Sequence, residues 1–123
     1  PQRQGRILLI DNEPQVLAVL CEMLIDAGHA VTPAVGGADA IGAYAPGKFD
    51  LVVSNIGMPG VNGWEVAERL RAMDPNVPMI FVTGWGLTEK DRERCRNLGV
   101  RHWLFKPVKP SELNRTVQDA LAR

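Results

Sequence analysis

The chain has 123 residues, 46% hydrophobic and 23% charged, the balance of one globular domain with no room for a second. Fourteen basic side chains match fourteen acidic ones, which removes the broad positive field that nucleic-acid or anionic-membrane binding draws on. Cys21 and Cys95 are too few and too far apart for a disulfide framework or a zinc cluster, and no apolar run is long enough for a membrane span or a signal peptide, so reduced, buried thiols and a cytoplasmic location are expected.

The opening Pro1-Gln-Arg-Gln-Gly5 has no initiator Met, which reads as a domain excised from a longer protein or a processed one; about residues 6–122 should be structured. Arg6-Ile-Leu-Leu-Ile10 is a first apolar run. Pro14 to Ala27 follows as a helix, with Pro14 in its first turn, Gly28 as its stop, and Val16, Leu17, Leu20, Met23, Leu24 and Ala27 in one stripe. His29 to Pro33 is a mixed strand, and Pro33 places it at a sheet edge. Gly36 to Ala45 is a weaker helix with Ala38, Ile41 and Tyr44 facing inward. Asp50-Leu-Val-Val-Ser54 is a third strand, and Asn62 with Glu65 marks the start of a helix reaching Met73. Val77 to Thr83 is a fourth strand, Thr88 caps a helix to Leu98, Val100 to Phe105 is a second mixed strand, and Pro110 to Leu121 is the last helix. The fourth helix has only Leu87, Cys95 and Leu98 as apolar anchors, so it should be weakly held.

The first, third and fourth strands lack in/out alternation and so should be covered on both faces, as in a parallel sheet between helices. The alternation predicts an α/β, doubly wound (βα)5 sheet in the flavodoxin-like order 2-1-3-4-5, forming a single domain over 1–123. Ligand crevices of such sheets lie at the carboxyl ends of the strands. There the sequence places Asp11-Asn12-Glu13, Asn55 with Ile56-Gly57-Met58-Pro59-Gly60, Thr83-Gly84, and Lys106-Pro107. Each has a plain structural role open to it: a helix cap for Asp11 or Asn12, a turn bond for Asn55, a strand position for Thr83, a solvated surface for Lys106. Their convergence at one sheet edge favours a site.

Ile7-Leu-Leu-Ile-Asp-Asn-Glu-Pro14, Asp50-Leu-Val-Val-Ser-Asn-Ile-Gly-Met-Pro-Gly60 with Asn62-Gly63, Val82-Thr83-Gly84 and Trp103-Leu-Phe-Lys-Pro107 together resemble the receiver domains of two-component response regulators, the CheY-like family, along nearly the whole chain. The resemblance implies a signalling domain rather than an enzyme. It implies that an aspartate ending the third strand accepts a phosphoryl group from a histidine kinase or histidine phosphotransfer protein in a phosphorelay. An acidic pair after the first strand holds Mg²⁺, and the Thr and Lys after strands four and five bind the phosphoryl oxygens. Carried over, the acceptor position is Asn55, the switch residues are Thr83, Lys106 and Trp103, and the metal ligands are Asp11, Asn12 and the Gly57 carbonyl. Pro14, Pro59, Gly60 and Pro107 become loop or partner contacts, and the Lys106-Pro107 bond is expected to be cis. A downstream effector or dimer partner would dock on the face of the fourth helix, fifth strand and fifth helix.

Two positions depart from the family. An amide at Asn55 is a poor nucleophile, and Asn12 replaces a metal-binding carboxylate, so no phosphorylation at Asn55 and a weakened Mg²⁺ site are expected, with Lys106 free to pair with Asp11. Asn55 fits either a natural acceptor-less receiver or an Asp→Asn change to a working one. Asn62-Gly63 is the dipeptide most open to deamidation. Competing readings are a phosphorylation-independent pseudo-receiver, a flavin binder and a D-x-D phosphatase. The last two are disfavoured because Asp11-Asn-Glu13 offers an anion where a flavin phosphate loop is needed, and lacks the second phosphatase carboxylate in its usual geometry. No segment is left for a helix-turn-helix, so direct nucleic-acid binding is not expected, nor is membrane association.

Overall fold

The computed structural model describes residues 2–122. Strand and helix alternate throughout: β1 (Arg6–Ile10), α1 (Pro14–Asp26), β2 (Ala30–Ala34), α2 (Gly37–Ala43), β3 (Leu51–Asn55), α3 (Gly63–Met73), β4 (Met79–Thr83), α4 (Glu89–Asn97), β5 (His102–Phe105) and α5 (Pro110–Leu121). The five strands are parallel in the order β2-β1-β3-β4-β5, as expected. No helix among the described residues is long and apolar enough to cross a membrane.

Successive side chains of a strand point to opposite faces, so one apolar run feeds two cores. Leu8, Ile10, Val52 and Phe81 pack with Ala40, Val66, Leu70 and Cys95 under α2, α3 and α4. Ile7, Leu9, Val53, Ile80 and Val82 pack with Leu17, Leu20, Leu24, Leu113 and Val117 under α1 and α5. Both faces of the central strands are therefore dry, and the polar groups at their carboxyl ends stand on a rigid base.

Several boundaries and orientations differ from expectation. β2 runs Ala30–Ala34 because Ala30 N–H, not that of His29, donates to Gly5 O, and Pro33 sits on the edge opposite Leu9. β5 starts at His102 because Val100 N–H is used at the end of α4, donating to Cys95 O at 2.8 Å. Ala38 is exposed, while Gly37 and Ala40 face the core, since a helix of seven residues is too short for periodicity to set its phase. Cys95 is buried, but Cys21 is only half-buried.

The N-terminal arm is tied to the sheet and to α5. Arg3 N–H donates to Gln118 Oε1 and Gln118 Nε2 donates to Arg3 O, each at 2.9 Å. Gly5 N–H donates to Nδ1 of buried His29 at 3.0 Å, and burial pushes the His29 pKa down.

α4 is attached differently. Cys95 is its one buried residue. Its start is fixed by a capping box in which Thr88 Oγ1 accepts from Asp91 N–H and Asp91 accepts from Thr88 N–H. Arg92 lies over the Trp103 ring at 5.4 Å and Arg94 over Trp64 at 4.5 Å. At its far end Arg71, from α3, donates to Leu98 O and to Val77 O at 2.6 Å each, and to Gly99 O at 3.4 Å.

Candidate functional site

Parallel register brings the four expected strand ends together. Ile10 pairs with Ser54, Asn55 with Val82, and Thr83 with Phe105, which lines up Asp11, Asn55, Thr83 and Lys106 along one sheet edge. Asp11, Asn55 and Thr83 are buried, and the Lys106 side chain keeps 21% of its exposure.

Asp11 continues β1, its N–H donating to Ala34 O at 3.2 Å. Its Oδ1 accepts from Glu13 N–H at 2.9 Å, so Asp11 braces the turn into α1 while Glu13 itself is exposed. Its Oδ2 pairs with Lys106 Nζ at 3.0 Å. The Lys106 backbone N–H donates to Thr83 O at 2.8 Å, and the Lys106–Pro107 peptide is cis. A carboxylate with 1% exposure thus has its charge matched by the ammonium from β5.

Asn55 makes both amide hydrogens useful. Nδ2 donates to Gly57 O and to Asn12 Oδ1, at 3.1 Å each. A backbone carbonyl only accepts, so Gly57 O fixes which end of the amide faces it, and the Asn12 orientation follows. The first bond is the plain turn role open to Asn55 from sequence. The second, a bridge from β3 to the loop after β1, has no signature in residue spacing.

The loop after β3 is shaped by close backbone approach. A Cβ on Gly63 would lie 2.5 Å from Asn55 O and 2.7 Å from Ile56 Cα, so a side chain there would push the start of α3 off the site. Asn62 caps α3, its Oδ1 accepting from Glu65 N–H at 3.0 Å, while Gly63 N–H donates to Ile56 O at 2.8 Å. The backbone nitrogen that deamidation of Asn62 would use is therefore occupied in the folded chain. Met58 is buried and anchors the loop, leaving Pro59 and Gly60 exposed at its tip.

Thr83 Oγ1 accepts from Trp85 N–H at 3.1 Å, folding the loop after β4 back toward the site. Trp85 is 72% exposed, yet its ring edge lies against Gly57, where an added Cβ would come within 2.6 Å of Cζ3. It roofs one side of the pocket. Trp103, expected as a switch aromatic, is half-buried on β5, packed against the core under Arg92. Pro14, at the first turn of α1, and Pro107 are exposed. Between α1 and the loop after β5, Val16, Val19, Leu20, Met23, Pro107 and Val108 line an apolar groove of about 530 Å³ that reaches Lys106.

A family model for the response regulator receiver domain matches residues 7–118. The chain belongs to this receiver family. It is 36% identical over 119 residues to the probable transcriptional regulator ycf29 of Porphyra purpurea, covering 95% of the chain and 56% of that protein. It is 32% identical over 129 residues to the virulence sensor protein BvgS of Bordetella bronchiseptica, covering all of the chain but 10% of that protein. The chain thus spans about half or less of these relatives. Among solved structures, the receiver domain of the sensor histidine kinase PA1611 from Pseudomonas aeruginosa superposes with a TM-score of 0.86 at 28% identity, over 98% of the chain and 100% of that domain. That receiver holds a magnesium ion coordinated in its active-site cleft.

The oxygens that the family resemblance assigns to a metal in this chain are those of Asp11, Asn12 and Gly57. Each already accepts a hydrogen bond from an internal donor, Lys106 Nζ for the first and Asn55 Nδ2 for the other two. No cluster of three His, Cys, Asp or Glu side chains that could hold a metal occurs among the described residues. The prospective set is thus one carboxylate and two neutral oxygens, with the Asn55 Nδ2 group lying between the latter two.

Proposed function

We propose that this domain is a two-component receiver whose parent form accepts a phosphoryl group from a histidine kinase or phosphotransfer protein, and that in this chain Asn55 closes that route. The observation that carries the reading is the Asn55 amide, buried and donating to both Asn12 and Gly57. Phosphoryl transfer needs an anionic or activated oxygen, and an amide oxygen has neither full charge nor a base beside it. Any Mg²⁺ site is weakened by Asn12 and Asn55 together. The domain then acts by binding and not by turnover. The apolar groove beside Pro14, Gln15 and Pro107 suits the helices of a kinase or phosphotransfer partner, and the face of α4, β5 and α5, where Phe105 is 45% exposed, suits an effector or a second copy.

A second reading is a pseudo-receiver that never depended on phosphorylation. Asn12 favours it, since the site departs from the family at two positions and not one. Intact mass after incubation with acetyl phosphate and Mg²⁺, on this chain and on Asn55→Asp, separates the two. In the Asp variant a carboxylate oxygen attacks phosphorus and acetate leaves. A phosphoryl gain confined to Asn55→Asp supports the first reading. No gain on either chain supports the second. A gain at Asn55 in the unmodified chain overturns both.

A further inference from the structure

We propose that the Asn55 amide takes the place of a divalent cation, so that the pocket is closed to Mg²⁺ by an internal competitor and not merely short of charge. This deepens the reading above and rests on Asn55 being a fixed donor at that site.

The argument begins with the lone pairs. Asn12 Oδ1 belongs to the loop after β1 and Gly57 O to the loop after β3, and one Nδ2 group bridges them at 3.1 Å on each side. A metal ion joining these loops would use the same two oxygens. Asp11 Oδ2, the remaining prospective ligand, is held at 3.0 Å by Lys106 Nζ. The pocket is thereby electrically balanced, with one buried carboxylate against one ammonium. Each of these oxygens already has a donor on the side that faces the pocket partner it binds. Mg²⁺ gives up its water reluctantly and needs near-ideal geometry, so an entry that also breaks two internal bonds is unfavourable. The Trp85 ring lies against Gly57, the residue that supplies one of these oxygens.

This account and a simple count of ligands predict opposite results for one variant. Asn55→Ala removes the competing donor and adds no ligand. If ligand number and charge alone set affinity, the Ala variant binds Mg²⁺ no better than the unmodified chain. If the amide is a competitor, it binds better, by roughly ten- to a hundredfold, the worth of the two weak hydrogen bonds removed. Asn55→Asp removes the donor and adds a carboxylate, and should bind tightest.

The experiment is a Mg²⁺ titration of the three chains, followed by Trp fluorescence and by thermal melting. The side-chain amide resonances of Asn55 and Asn12 are followed in the unmodified chain. The expected order of affinity is Asp, then Ala, then unmodified, with the Asn55 amide resonances unmoved through millimolar Mg²⁺. Any other order overturns the proposal, as does a saturable shift of those resonances in the unmodified chain. If the Ala variant does not fold, the resonances still decide. Phosphoryl gain by the unmodified chain would break the functional reading alone, and leave this order of affinities to stand or fall by itself.

Discussion

α5 and α4 lie on opposite faces of the sheet, in different core clusters, and are held to the domain by different physics. α5 buries Leu113, Val117 and Ala120 completely, along one clean apolar face. α4 buries Cys95 alone, with Leu87 and Leu98 half-buried at its ends; a capping box, two arginines laid over tryptophan rings and Arg71 at its foot add polar contacts. Apolar burial is non-directional and strong per residue, whereas capping and cation–π contacts are worth about 1 kcal/mol each and depend on orientation. One helix is scaffold. The other contributes little apolar area to the core.

The largest effect that sharpens this contrast is expected from Leu113→Ala. Removing a fully buried side chain from the α1/α5 core should cost about 2–5 kcal/mol in urea unfolding, against little for a truncation on the exposed face of α4 such as Glu93. Equal losses at the two sites would break the comparison.

Acid should also reach the scaffold side first, through His29. Its Nδ1 accepts from Gly5 N–H, so protonation there removes the bond that holds the N-terminal arm. The unfolded imidazole titrates near the ordinary 6.5 and the buried one below it. Between those values the unfolded chain binds the extra proton. The contribution is therefore complete above pH 6.5 and lost as pH falls toward the folded pKa. An unsatisfied buried donor puts the loss at about 1–3 kcal/mol. A stability curve flat from pH 7 to 5 in the unmodified chain, or unchanged in shape by His29→Gln, would remove His29 from the account.

The smallest effect is expected from Thr88→Ala, at about 1 kcal/mol. It should surface as faster amide exchange confined to α4 and its flanks, since a helix with one buried residue opens locally before the domain unfolds. Exchange that rises equally across α5 would mean the two helices unfold as one unit.

How much of this was legible beforehand follows from range. The apolar runs of β1, β3 and β4 and the stripe of α1 are local patterns, and they placed the sheet order and the four site-bearing strand ends. The Ala38 orientation failed because α2 is two turns long, too short for its phase to be read. The starts of β2 and β5 failed because they depend on which N–H the neighbouring segment has already used, Ala30 toward Gly5 and Val100 toward Cys95. At the site, the convergence of Asp11, Asn55, Thr83 and Lys106 was legible from topology, and the Asp11–Lys106 pair from the loss of the other carboxylates. The bridge from Asn55 to Asn12 and the Arg92–Trp103 stack were not. Each is a meeting of side chains set by three-dimensional packing, with no repeat or spacing to announce it.

Arg71 gives the weakly held helix a fixed end. Its guanidinium binds carbonyls at Leu98 and Gly99, just past α4, and at Val77, just before β4, so the foot of α4 is pinned to the sheet. The opposite end follows Gly84-Trp85-Gly86, a segment whose glycines have open space around them. α4 therefore has polar anchors at its C-terminal end, while its N-terminal end is held by Leu87 against the core and by its own capping box. Over nine residues the helix is about 13 Å long, and a tilt of about 10° sweeps its end through about 2 Å.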